Sequence, residues 1–430
     1  MNILLKALLG CSVLLPMAAG ALDAFEEAPI RYSETAPDNA ISQLQQSLDG
    51  GTAKLVHDPD FGYLKSLLTA LNIPETSQLL VFSKTSLQIR HIAPSTPRAI
   101  YFNDDVYIGT VQEGEVLEVS AADPVLGTVF YTLNQGATSS PQFVRQRHDC
   151  LQCHATTMTR DLPGHIVRSV FAGSDGQPIF KAGSQVTDQD TPLAERWGGW
   201  YITGTHGKER HRGNQIARET AHDAVIDPEA GANQIALPGR VDTSKYLTPH
   251  SDIVAMMVLE HQSQMHNLMT RANFETRMAL HRQAISDRIF ERDPTILSES
   301  STRIIHNLGD ALVDYMIFAN EAELTDPIAG TSSFSDDFQG DGPVDSQGRS
   351  LRQLDLESRL FTYPLSYLIY SPQFDGLPTP VKDYVYQRLW NIFTGAEPTP
   401  DLLHLTNAKC RAVIEMVAET KPGLPAYWVK

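Results

Sequence analysis

Cysteine is scarce in this 430-residue chain, which holds only Cys11, Cys150, Cys153 and Cys410. Cys150 and Cys153 are the one close pair, so the second pair that a structural zinc site normally takes is missing. Beyond the N-terminal segment no stretch approaches the roughly 18 consecutive apolar residues of a membrane-crossing helix, and no internal repeat is present. Basic residues are also few: 34 Lys and Arg stand against 51 Asp and Glu, for a formal net charge of −17. That balance argues against nucleic acid and anionic membranes as partners, and favours a basic protein or a cationic substrate.

What is present begins with Cys150-Leu151-Gln152-Cys153-His154. C-x-x-C-H is the attachment signature of a c-type haem. Two thiols three positions apart can each add to one vinyl group of the porphyrin, and the next residue offers an imidazole to the iron from the same turn. A redox dithiol of thioredoxin type shares the C-x-x-C but belongs beside a βαβ pattern. The flanks Arg145-Gln146-Arg147-His148-Asp149 and Ala155-Thr156-Thr157-Met158-Thr159 do not read that way.

The first 21 residues agree with that assignment. A short opening with Lys6 precedes a mostly apolar stretch, and Ala19-Gly20-Ala21 makes a small-residue cleavage site. This is the pattern of a secretory signal peptide, and it predicts a periplasmic mature protein with one covalent haem c. Removal of the leader takes Cys11 with it. Cys410, in the helical-looking segment 407–417, is expected to be a buried, inert thiol.

The fold class read from the pattern is α+β, with hydrophobic content of 42% sufficient for real cores. Residues 22–140 form a β-rich domain, in which short β-branched and aromatic runs at 79–82, 87–92, 98–102, 106–111, 116–119 and 128–133 alternate with turn-formers. Their spacing predicts an antiparallel meander, preceded by short helices over 40–48 and 62–71. Residues 141–246 are a glycine-rich mixed segment carrying the haem motif, in which Trp197, Trp200 and Tyr201 suit either an apolar wall for a porphyrin or ordinary packing. Residues 247–430 are helical: one helix starts at Thr248-Pro249, with proline at the first helical position, and runs to about 290. Others are expected over 299–323, 351–369, 380–393 and 407–420, with a solvated loop at 331–350.

The sixth iron ligand decides between carrier and catalyst. On the long helix Val254, Val258, His261, Met265 and Leu268 share the apolar face, which places His261 or Met265 better than His266. His206 and His211 sit in a glycine-rich loop from which a side chain can reach a cofactor. His165 follows His154 by eleven positions, behind Pro163-Gly164. His148 stands too close to the motif to reach the distal face.

Through its motif the chain resembles the c-type cytochromes, in particular large periplasmic monohaem members. The resemblance implies thioethers at Cys150 and Cys153 and iron ligation by His154. The strands that lead into the motif are also similar to the lysine-cross-linked c-type cytochromes of nitrifying bacteria, where a sheet lysine bonds to the porphyrin and an open distal face oxidises small nitrogen compounds. By that resemblance Lys84, the only lysine between Ser66 and Gly164, takes the lysine's place. Three functions follow as expectations. The first is electron transfer with a basic redox partner. The second is an oxidase or peroxidase with open iron, and the third is a redox or gas sensor.

Overall fold

The structure, a computed structural model, describes residues 24–138, 140–397 and 402–429. The expected leader, residues 1–21 with Cys11, lies outside the described residues. Alternating side chains and short polar turns build an antiparallel sheet from β1 (Leu79–Val81), β2 (Arg98–Phe102), β3 (Val106–Thr110), β4 (Val116–Asp123), β5 (Gly127–Asn134) and β6 (Phe143–Gln146). A separate ribbon pairs β7 (Arg168–Val170) with β8 (Ser184–Val186). The short strand β9 (Trp200–Tyr201) then joins the sheet beside β1, giving the order β6-β5-β4-β3-β2-β1-β9. The meander expected from the sequence is therefore present, within an α+β fold.

Turn chemistry fixes its register. Asn103 Oδ1 accepts from the backbone N–H groups of Asp105 and Val106, closing the β2–β3 turn. Asp123 does the same for Val125 and Leu126 ahead of β5, where Gly127 takes a positive φ of 69°. One face of the sheet carries Ala99, Tyr101, Ile108, Leu117, Val119 and Tyr131 into a core shared with α1 (Ala40–Asp49) and α2 (Leu64–Ala70). The opposite face carries Phe102 and Tyr107 into a second core.

That second core belongs to the helical half. After α3 (Leu151–His154) and α4 (Pro228–Gly231) come α5 (Ile253–Phe290), α6 (Glu299–Met316), α7 (Phe334–Gly340), α8 (Pro372–Asp375), α9 (Thr379–Thr394) and α10 (Asn407–Thr420). At 38 residues, α5 is about 57 Å long at 1.5 Å per residue, and it is the beam on which sheet and helices meet. Every residue from 253 to 263 is buried. Among the described residues no helix is long and apolar enough to cross a membrane.

Several expected elements differ, each for a local reason. α5 starts at Ile253, not at Pro249, because the chain before it is held extended: Thr203 N–H donates to Ser251 O and Ile253 N–H donates to Thr203 O. Asp252 then caps the helix through Val254 N–H. Residues 87–92 form a 3-10 turn at Ile89–His91 instead of a strand. There the backbone N–H groups of His91 and Ile92 close on Gln88 O and Ile89 O, so they take no part in a strand ladder, and the Gln88 side-chain amide ties the turn to Val116 O and Glu118. The helix expected to reach 323 stops at Met316, where Phe318 adopts a left-handed φ of 58°. Residues 351–369 are turns that end in a 3-10 helix at Tyr367–Tyr370; Pro364 lacks the N–H a helix there requires. The expected loop at 331–350 contains α7.

Candidate functional site

β6 delivers the chain to the motif at the edge of the sheet. Cys150 is the N-cap residue of α3, and His154 N–H donates to Cys150 O, so both sulfurs and the imidazole occupy a single helical turn. Leu151 is buried and anchors that turn, whereas Cys153 is exposed and Cys150 partly so. Both thiols are free. Burial, together with the carboxylates of Glu118 and Asp149, pushes the Cys150 thiol up to about 11. A reactive dithiol needs the opposite shift, so this environment disfavours redox-exchange chemistry.

The histidine is held in one orientation. Its Nδ1–H donates to Gly164 O at 2.9 Å, and Gly164 N–H donates back to His154 O, also at 2.9 Å. Burial holds the imidazole below the usual histidine range, so it is neutral at neutral pH. With the proton committed to Nδ1, the Nε2 lone pair is the one left to bind a metal. This is the arrangement by which a backbone carbonyl fixes the tautomer of a ligating histidine.

The turn rests on the same sheet face as Tyr107. Ser120 and Phe130 lie opposite one another on β4 and β5, and Tyr107 lies opposite Ser120 on β3. The ring centroid of Phe130 is 4.7 Å from that of His154. In the neighbouring row Gly109, Glu118, Thr132 and Val144 follow across β3 to β6. Apolar side chains face solvent on β6 (Val144) and just after α3 (Met158), and Leu87 and Ile89, also exposed, flank Gln88, whose amide reaches Glu118. Free sulfurs, an oriented Nε2 and uncovered apolar side chains together fit a porphyrin attached at Cys150 and Cys153. Among the described residues no three His, Cys, Asp or Glu side chains converge to hold a bare metal ion. Haem does not need such a cluster, since four of its iron ligands come from the porphyrin.

The distal candidates separate clearly. His165 is brought to the site: its ring is 6.5 Å from Phe130 and 4.1 Å from Tyr107. Its Nε2 is 3.0 Å from Ser120 Oγ and its Nδ1 3.4 Å from Thr128 Oγ1. His261 stands apart, with Nδ1–H donating to Gln189 Oε1, Nε2 accepting from Ser366 Oγ, and Tyr315, Phe318, Phe361 and Tyr367 packed around the ring. Met265 is a core residue of the helical half. His206 donates from Nδ1 to Glu209 O and accepts at Nε2 from Asn233 N–H; its ring lies against His211. The α5 histidine that does approach is His266, whose ring is 5.8 Å from that of His165. Helical periodicity ranked it below His261, but a helix covered on all sides has no solvent face for the period to report.

Two other expectations also meet different surroundings. Trp197 and Trp200 pack into the helical core, and Trp200 Nε1–H donates to Arg168 O, so Phe130 is the aromatic ring beside the motif. Lys84 lies three residues beyond β1, in the β1–β2 connection, where its N–H donates to Gly176 O. Cys410 is buried on α10, its thiol raised by that burial.

The buried histidines make the fold sensitive to acid. Burial lowers His165, His211 and His261, the last two to about 3. In the unfolded chain each titrates near pH ~6.5. Below that value the unfolded state binds more protons, so stability falls as pH drops from about 6.5 toward 3, by roughly 1.4 kcal/mol per unit for each such ring. Urea midpoints measured between pH 7 and 4.5 should decline steeply, and His261→Gln should flatten the slope by one proton.

No protein-family model matches the chain, and no curated protein or solved structure matches it either.

Proposed function

We propose that this chain is a periplasmic monohaem c-type cytochrome acting in electron transfer, with haem c bonded to Cys150 and Cys153 and His154 as an axial ligand. The observation that carries this reading is the His154 Nδ1–H···O=C bond to Gly164, which leaves Nε2 available one turn from two free thiols. When bound, the haem supplies a one-electron Fe(III)/Fe(II) couple. The protein's part is to hold the imidazole tautomer, to cover the porphyrin with apolar side chains and to present an acidic surface to a basic redox partner. The leader-like first 21 residues support export.

A second reading, an oxidase or peroxidase with an open iron face, is favoured by one observation. His165, His206 and His261 each have both ring nitrogens engaged by other groups. Absorption spectra of the purified protein discriminate. Electron transfer with closed iron predicts low-spin ferric and ferrous spectra unchanged by carbon monoxide. Ready carbon monoxide binding at neutral pH transfers the assignment to the enzyme or the gas sensor, and a colourless protein with alkylatable Cys150 and Cys153 removes haem altogether.

A further inference from the structure

One charged side chain beside the motif has donors that the fold leaves unspent. Arg98, the first residue of β2, is only 20% exposed in its side chain. Its guanidinium lies flat over Gly109 on β3, where a Cβ would stand 2.3 Å from Nη2 and 2.6 Å from Nε. Only glycine leaves room for the cation in that position. One arm reaches Glu118 on β4, Nη2 to Oε2, at 2.8 Å. Glu118 is itself braced: its Oε1 accepts from Ser86 Oγ and from Gln88 Nε2, each at 3.1 Å.

Glu118 is thus a fully engaged carboxylate that fixes Arg98 without using up its donors. Arg98 Nε is buried and has no hydrogen-bond partner. A buried donor left unpaired forfeits the hydrogen bond it made to water, so such an atom points to a missing acceptor. Arg98 and Glu118 both act electrostatically on the Cys150 thiol and the His154 ring. The titratable groups around this spot are Glu118, Asp149, Cys150 and His154. A porphyrin tethered at Cys150 brings two propionate carboxylates with it. The planar fork of arginine matches a carboxylate through two parallel N–H donors.

We infer that Arg98, seated on Gly109 and braced by Glu118, is the binding residue for a haem propionate, an inference that rests on the haem reading above. In that role the guanidinium would favour the ionised form of the propionate.

The test uses the full-length holoprotein. Arg98→Leu, Arg98→Lys and Gly109→Ala are compared with the parent for haem content by pyridine haemochrome, for fold by circular dichroism, and for midpoint potential from pH 5 to 9. In Arg98→Leu the haem content should be unchanged. The pH at which the potential starts to fall should rise by about one unit or more, because the propionate loses the cation that favoured its charged form. Arg98→Lys should restore most of the parent curve. Gly109→Ala keeps the charge and displaces it, so its curve should move in the same direction as that of Arg98→Leu. Should Arg98→Leu fail to fold, the Gly109→Ala curve decides. Curves superimposable on the parent in haem-replete variants overturn the inference and leave the haem reading standing. A parent without haem overturns that reading instead.

Discussion

Replacing Cys150 and Cys153 together with serine is expected to give a folded protein that retains no covalent haem. The measurement is haem staining after denaturing electrophoresis, or pigment remaining with the protein after acid–acetone extraction. Both thiols are free; Cys153 is exposed, whereas Cys150 packs against the edge of the sheet core, so the double swap should cost about 1 kcal/mol. Urea midpoints of the apo forms should therefore differ only slightly while pigment disappears entirely. Each single variant should keep one thioether and a shifted pyridine haemochrome band. His154→Ala should retain the pigment, since the sulfurs are intact, but change its spin state. Covalent pigment surviving in the double variant would mean that attachment lies elsewhere, and the proposed function would fail with it.

The largest loss of stability is expected from Glu260→Ala. Glu260 on α5 is fully buried and pairs with Arg196 at 3.0 Å, itself only 4% exposed. Arg196 is further held by its donations to Thr191 O and Gln189 O, and Gln189 in turn contacts His261. Burial raises the Glu260 carboxyl, and the guanidinium of Arg196 opposes that shift. Removing the carboxylate alone strands a buried cation, which typically costs 3–5 kcal/mol, or about that much here. A Glu260→Leu, Arg196→Met double variant should lose far less, since both desolvated charges go together. Equilibrium urea unfolding checks both. Equal destabilisation by the single and double variants would mean that packing around α5, and not the ion pair, carries the effect.

Particular elements show how far the pattern could be read. The strands over 98–102 and the helix over 407–420 match β2 and α10, because in each the local pattern and the tertiary demand agree. Residues 87–92 have the composition of a strand and became a turn, in which His91 and Ile92 N–H donate to Gln88 O and Ile89 O and the Gln88 side chain ties the turn to β4. His266 and Arg98 lie near the motif through contacts with His165 and Glu118, residues on other elements that no local window spans. The signal for Arg98 was available only in weak form, as a cation one strand away from a glycine within a meander.

By itself the sequence determined that two sulfurs and an imidazole share one turn, because residues within five positions need no distant partner to meet. It also determined the meander and the helical C-terminal half, through periods of two and 3.6 residues that act within single elements. Tertiary structure alone decided which histidines keep a free nitrogen and which face of α5 meets the motif. It also decided which cation stands beside Cys150. Those outcomes depend on burial and on hydrogen-bond partners drawn from remote strands and helices, and such partners leave no periodic trace in the chain.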